Sequence, residues 1–254
     1  MLKSNFRSNL RSNLKSNLKV LIPASLRRKL HVLKIQLQDL WYSQYTSFVG
    51  TQNLLVNYPV QIILTQPIEI TSHSESKKHN LHIGIQNLQN RQINPGQILS
   101  FWHIVPVPNA KNGYRKGRNI TDNALGLDYG GGLCQLSGIL YHLALIAGLE
   151  IIERHPHSLD LYNEKTRYTP LGSDATVVYG YKDLRIRNNF SFPFCLQFEI
   201  QQDSLVAKLC AMQTVSKCKL EFAIEEHPAY KIVRVWRHID QKILISNDIY
   251  RPIS

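Results

Sequence analysis

The sequence predicts an α+β protein in which a central helix packs on a mostly antiparallel sheet, behind a basic N-terminal extension. Three observations predict it. Leu136, Ile139, Leu140, Leu143 and Ala147 recur at helical spacing in one apolar run. After residue 174 the chain breaks into short β-branched segments separated by polar turns such as "QQDS", the pattern of hairpins. The charge of +12 on 254 residues sits almost wholly at the start: residues 1–38 hold nine Lys or Arg and no acid, leaving 21 basic against 18 acidic residues beyond. A hydrophobic content of 43% is enough for a real core. Because the basicity belongs to a tail and not to the folded body, a nucleic-acid partner is not expected.

The tail, residues 1–25, repeats [Lys/Arg]-Ser-Asn-[Leu/Phe] four times between Lys3 and Leu18. Its period brings Phe6, Leu10, Leu14 and Leu18 onto one helical stripe beside the cations, so residues 1–20 have the makings of a contact with an anionic membrane surface. Ser and Asn favour caps and turns over helix interiors, which argues instead for a solvated, disordered extension. Residues 26–80 are read as a lead-in. A helix carries Leu26, Leu30, Leu33, Leu37, Leu40 and Trp41 and is expected to pack on the body. The segment "YPVQIILTQPIEI" follows as an edge strand or extended linker.

The core is placed at residues 81–190, with residues 191–254 as the β-rich remainder of the same domain. Asn94-Pro95-Gly96-Gln97 has the residues of a type II turn and opens a strand expected over Ile98–Val105. "GYRKGRNI" reads as a basic loop, solvated in preference to anion-binding. The central helix stops at Gly148, a natural residue just past a helix end. "LEIIERHPHS" is a strand closed by Pro156, with His155 and His157 on the same side. Strands are expected in "DATVVYGY", "DLRIRN", "FPFCLQFEI", "SLVAKLCAM", "CKLEFAI", "KIVRVWRHI" and "KILISNDIYR". No apolar run suits a secretory signal or a spanning helix, so the reading is cytoplasmic, with a peripheral membrane contact the alternative. Cys134, Cys195, Cys210 and Cys218 lack paired CxxC spacing, so reduced thiols are expected and neither metal nor cofactor is assigned.

The chemistry gathers at "GGGLCQLS". Cys134 falls in the first turn of the central helix, where the macrodipole and unpaired amides favour thiolate. Gly130, Gly131 and Gly132 free backbone N–H groups to form an oxyanion hole or an anion nest. Gln135 adds an amide donor, and Ser137 shares the helical face of Cys134. His157 is the candidate base, with Asp174 or Asp183 to orient its ring. By strand parity Glu153 faces the site with His155 and His157, while Arg154 forms a structural ion pair. The plainer alternatives are a cysteine that only packs, glycines that mark a tight crossing and histidines that cap a strand. Metal binding by Cys134, His155 and His157 lacks a recognisable fourth ligand.

"NPGQILSFW", "GYRKG", "GGGLCQLSGILYHLALIAGLEIIERHPHS" and "GSDATVVYGYKDLRIRN" resemble the VanW family, named after an accessory protein of vancomycin-resistance gene clusters. The similarity runs from about Leu81 to Asn189. Its pattern falls on Gly130, Gly131, Gly132, Cys134, Gln135 and Ser137, on Glu153, Arg154, His157 and Ser158, and on Asp174, Asp183, Arg187 and Asn188. The His-Ser pair of the pattern selects His157 over His155. The resemblance implies a link to the bacterial cell envelope, with a peptidoglycan precursor or peptide as the expected partner, and names no reaction. Together the two readings predict thiol-dependent acyl transfer or hydrolysis on a peptide or amide. The alternatives are a non-catalytic module that binds an anionic envelope precursor, and a membrane-peripheral adaptor working through the basic repeats.

Overall fold

A computed structural model describes residues 23–42, 47–50, 57–121, 124–160 and 167–252. The basic repeats of residues 1–20 lie outside them. The chain divides into two units, residues 1–45 and 46–254. The first contains helix α1, Ala24–Trp41, whose N-cap is Pro23. Its leucines at 26, 30, 33, 37 and 40 and Trp41 are exposed.

The second unit is α+β. Strand β1, Val60–Pro67, and helix α2, Ser74–Leu88, lead into β2, Gln92–Ile93, and β3, Ile98–Ser100. A short helix α3, Phe101–Ile104, precedes the hairpin of β4, Lys116–Thr121, and β5, Ala124–Tyr129. Helix α4 spans Leu133–Ala147 and is followed by β6, Glu150–Glu153, β7, Leu159–Asp160, and β8, Arg185–Arg187. The chain then runs as β9, Phe194–Gln201, β10, Ser204–Ala211, β11, Lys219–His227, β12, Tyr230–His238, and β13, Lys242–Pro252.

The strands form sheets ordered β1-β10-β9-β2, β11-β12-β13-β7 and β3-β8-β6, plus the β4-β5 hairpin. Among the described named strands, only β13 with β7 pairs in parallel. Helix α4 is apolar nearly all round, as a helix surrounded by protein must be. It packs on β1 and β10 and beside α2. Burying Leu136, Ile139, Leu140 and Leu143 contributes about 1.5–3 kcal/mol each, which fixes the position of the helix start.

Several expected elements differ. The expected strand Ile98–Val105 ends at Ser100, because the Ser100 hydroxyl accepts from the His103 amide and caps α3. "GYRKGRNI" runs into β4 instead of looping. "DATVVYGY" is irregular, with a lone bridge from Val178 to Lys182. Helix α2 was not expected, and residue 81 lies inside it. Its polar start hides the spacing of Leu81, Gly84, Ile85 and Leu88 that it buries.

Candidate active site

Cys134 is the second residue of α4, behind a glycine turn whose Gly130 and Gly132 take φ of +85° and +105°. Those angles explain two of the glycines. Gly131 is explained by crowding: a Cβ there would lie 2.8 Å from the Gly117 carbonyl carbon and the Arg118 carbonyl oxygen. Asn80 of α2 locks the crossing from inside. Its Nδ2 donates to the carbonyls of Arg115 and Gly131, both at 3.0 Å, and its Oδ1 accepts from the Arg115 amide at 2.8 Å. The glycines therefore serve a tight crossing of the turn over β4.

The turn also leaves amides without a backbone acceptor among the described residues, those of Gly131 and Gly132 as well as that of Cys134. The N–H of Leu133 bonds to Gly130, and those of Gln135 and Leu136 bond to Gly132, whereas the Cys134 N–H finds no backbone acceptor among the described residues. It sits where a helix start leaves donors unpaired. One Gln135 Nε2 hydrogen goes to the Pro67 carbonyl at 2.9 Å, and its Oε1 is buried without a partner. Ser137 is fully buried and donates to the Ala175 carbonyl at 2.6 Å, so it ties α4 to the segment that carries Asp174 and offers no surface to a ligand.

The Cys134 thiol donates to the Val177 carbonyl at 3.8 Å, and the His157 ring stands near enough to act on it electrostatically. The other side of the ring is held by Asp174, whose Oδ2 accepts from both the ring Nδ1 and the backbone N–H of His157, each at 2.7 Å. Asp174 Oδ1 accepts from Tyr250 Oη at 2.6 Å and from the Arg154 guanidinium at 3.2 Å. Arg154 also donates to the Asp174 carbonyl at 2.7 Å and pairs with Asp248, so the expected structural ion pair is formed. A hydrogen bond from the Thr176 amide to the His155 carbonyl, 2.7 Å, aligns this segment with the histidine.

These contacts set the charges. Burial pushes the Cys134 thiol up, but the hydrogen bond and charge of His157 help to bring it below its ordinary value. Burial opposes charging of the His157 ring, yet Asp174 and the sulfur lift it to about 10. Burial likewise opposes ionisation of Asp174, and His157, Arg154 and Tyr250 together hold it well below the usual carboxylate range. Both shifts favour the thiolate–imidazolium form of the pair over the neutral one.

The remaining sequence candidates lie elsewhere. Asp183 does not reach His157: its carboxylate accepts from Ser100 Oγ at 2.5 Å, the Trp102 amide at 3.1 Å and Arg185 Nε at 3.0 Å. Glu153 belongs to that cluster too, bonded to His155, the Asp183 amide and Arg185. The parity argument for Glu153 fails because pairing of β6 with β8 shifts register between Ile151 and Glu153, turning Arg154 toward Asp174. His155 is spent on Glu153. No group of three metal-ligating side chains suited to an ion occurs among the described residues, and none of their helices is long and apolar enough to cross a membrane.

Sequence reasoning missed Tyr250, Asp248 and Asn80. No spacing signal links residues 248 and 250 to position 174, since they arrive through sheet pairing.

Residues 76–210 match the profile of the family described as VanW like protein. The vancomycin B-type resistance protein VanW of Enterococcus faecalis is 25% identical over 190 residues, 69% of each chain. The uncharacterized protein YoaR of Bacillus subtilis is 28% identical over 145 residues, 57% of this chain and 46% of that protein, so the chain spans about half of that relative. No solved structure matches the chain. The profile covers the glycine turn, Cys134, Arg154, His157 and Asp174, and with more than half of its length matched, the chain belongs to the VanW-like family.

Proposed function

We propose that the protein performs thiol-dependent acyl transfer or hydrolysis on a peptide or amide, with Cys134 as nucleophile, His157 as acid and base, and Asp174 as the group that orients the ring. The observation that carries the reading is the His157 ring, held by Asp174 at 2.7 Å and coupled electrostatically to the Cys134 sulfur in the first turn of a helix. The thiolate attacks the carbonyl carbon. The oxyanion that forms meets the free Cys134 amide and the positive end of α4. The His157 imidazolium then gives its proton to the departing amine, leaving a thioester on Cys134. Water, deprotonated by the now neutral ring, or an acceptor amine in its place, releases the acyl group and restores the thiolate.

With one relative named for vancomycin resistance, the substrate we favour is a cell-envelope component such as a peptidoglycan precursor. The alternative of an anion nest in the glycine turn has less support, because packing against Pro108, β4 and Lys77 already accounts for all three glycines.

The test is alkylation of each cysteine by iodoacetamide as a function of pH, read by peptide mass. Cys134 is expected to react at a pH below that of an ordinary thiol, whose pKa is about 8.5, and His157→Ala to move its profile upward. An inert Cys134, or one that titrates like a free thiol in the folded wild type, removes the nucleophile from the proposal.

A further inference from the structure

A cavity of about 380 Å³, walled in part by Arg154, lies between α4, β6, β12 and β13. Arg237 of β12 forms part of its wall and is 8% exposed. One of its terminal nitrogens donates to the Leu149 carbonyl at 2.7 Å, but its Nε has no partner. No carboxylate pairs with it among the described residues. A buried guanidinium without a counter-charge is costly, and proteins ordinarily pair such groups.

Two further orphans line the same cavity. The hydroxyls of Tyr141 and Ser246 are neighbours, buried, and without a partner at hydrogen-bonding distance. Three of the buried polar atoms left unpartnered among the described residues thus converge on one space. The other charged groups of its wall are already neutralised: Glu150 holds Arg187 through both carboxylate oxygens at 3.0 Å, Glu153 holds Arg185 and His155, and Asp248 holds Arg154. The rest of the wall is apolar, with Ile151, Leu244 and Ile245.

We propose that this cavity binds the carboxylate of a small organic acid, its charge meeting Arg237 and its apolar body lying against Ile151, Leu244 and Ile245. One uncompensated cation calls for one negative charge. A dianion would set its second charge among Glu150, Glu153 and Asp248, and a bare inorganic anion would leave the apolar wall uncovered. The site is independent of the chemistry proposed at Cys134, although Arg154 walls the cavity and also holds Asp174.

Isothermal titration of the folded protein with butyrate, acetate and inorganic phosphate tests the proposal. Butyrate is expected to bind saturably, more tightly than acetate, and phosphate not at all. Arg237→Gln is expected to weaken butyrate by about tenfold or more, the scale of a lost charge-assisted contact. Ser246→Val, which fills the cavity, is expected to weaken it as well, and Cys134→Ser to leave it unchanged. Failure of butyrate to saturate the wild type overturns the proposal whatever the variants do. So does phosphate binding as tight as butyrate, or a folded Arg237→Gln that binds like the wild type.

Discussion

Replacing Asp174 by Asn keeps the shape of the side chain and removes its charge. Both carboxylate oxygens are acceptors in the folded protein: Oδ2 takes the ring and backbone N–H of His157, and Oδ1 takes Tyr250 and Arg154. An amide has one accepting oxygen, so one of these donor pairs faces an NH2 group and goes unsatisfied, at about 1–3 kcal/mol per lost partner. The electronic effect is larger. A rise of the ring from 6.5 to about 10 corresponds to about 5 kcal/mol in favour of the protonated form, and Asp174 contributes more of it than the sulfur does. Asp174→Asn should therefore lower the titration midpoint of His157 by roughly two pH units or more. Nitrogen-15 NMR of the histidine side chains reads that midpoint directly. A folded variant whose His157 still keeps its proton to the same pH as the wild type would refute the assignment of Asp174 as the group that holds the ring charged.

Three more outcomes follow from single contacts. Tyr250→Phe removes one donor to a buried carboxylate and should cost about 1.5–3 kcal/mol in urea unfolding, with a smaller upward shift of the Cys134 alkylation profile than His157→Ala gives. Asn80→Ala leaves the Arg115 amide and the Gly131 carbonyl unpaired beneath the glycine turn and should cost about 2–4 kcal/mol by the same measurement. Gly131→Ala drives a methyl into the backbone of β4 and should destabilise by about 1–3 kcal/mol; an alanine variant as stable as the wild type would show that the hairpin yields at no cost.

What the sequence made legible was local. The apolar face of α4, its stop at Gly148, and the turn at Asn94–Gln97, where the Gln97 amide closes on the Asn94 carbonyl, are each written in adjacent residues. Cys134 was legible because a helix start can be located from its own pattern. His157 and Asp174 were named as candidates by residue order, but choosing Asp174 over Asp183 needed the fold. Both lie in the same loop-rich stretch, and only tertiary pairing sends one to His157 and the other to Ser100 and Arg185. Glu153 was misdirected because period-two parity assumes an unbroken ladder, and β6 shifts register. Tyr250 and Asp248 were invisible because β13 joins the site from the far end of the chain.

The charge arrangement around Cys134 carries a consequence for stability. With the thiol ionised and the ring protonated, the folded pair holds one proton, on nitrogen. The unfolded pair, between its ordinary imidazole and thiol values of 6.5 and 9.0, also holds one, on sulfur. Folding then moves a proton without binding or releasing it, so the pair adds no pH dependence to stability in that range wherever the folded thiol is already ionised. The two halves cancel: the raised imidazole gives stability that is full below 6.5 and is lost as pH rises through about 10, while the lowered thiol gives stability that grows as pH rises toward 9.0. Cys134→Ser removes the second half and keeps the first, because Asp174 still raises the ring. Its stability should therefore decline relative to the wild type as pH rises from the lowered thiol value toward 9.0, with a slope of up to about 1.4 kcal/mol per pH unit. Urea unfolding of both proteins across that range reads the difference, in which all other titrating groups drop out. Parallel curves would mean that the sulfur and the ring do not share a proton, and the nucleophile would lose its activation along with its partner.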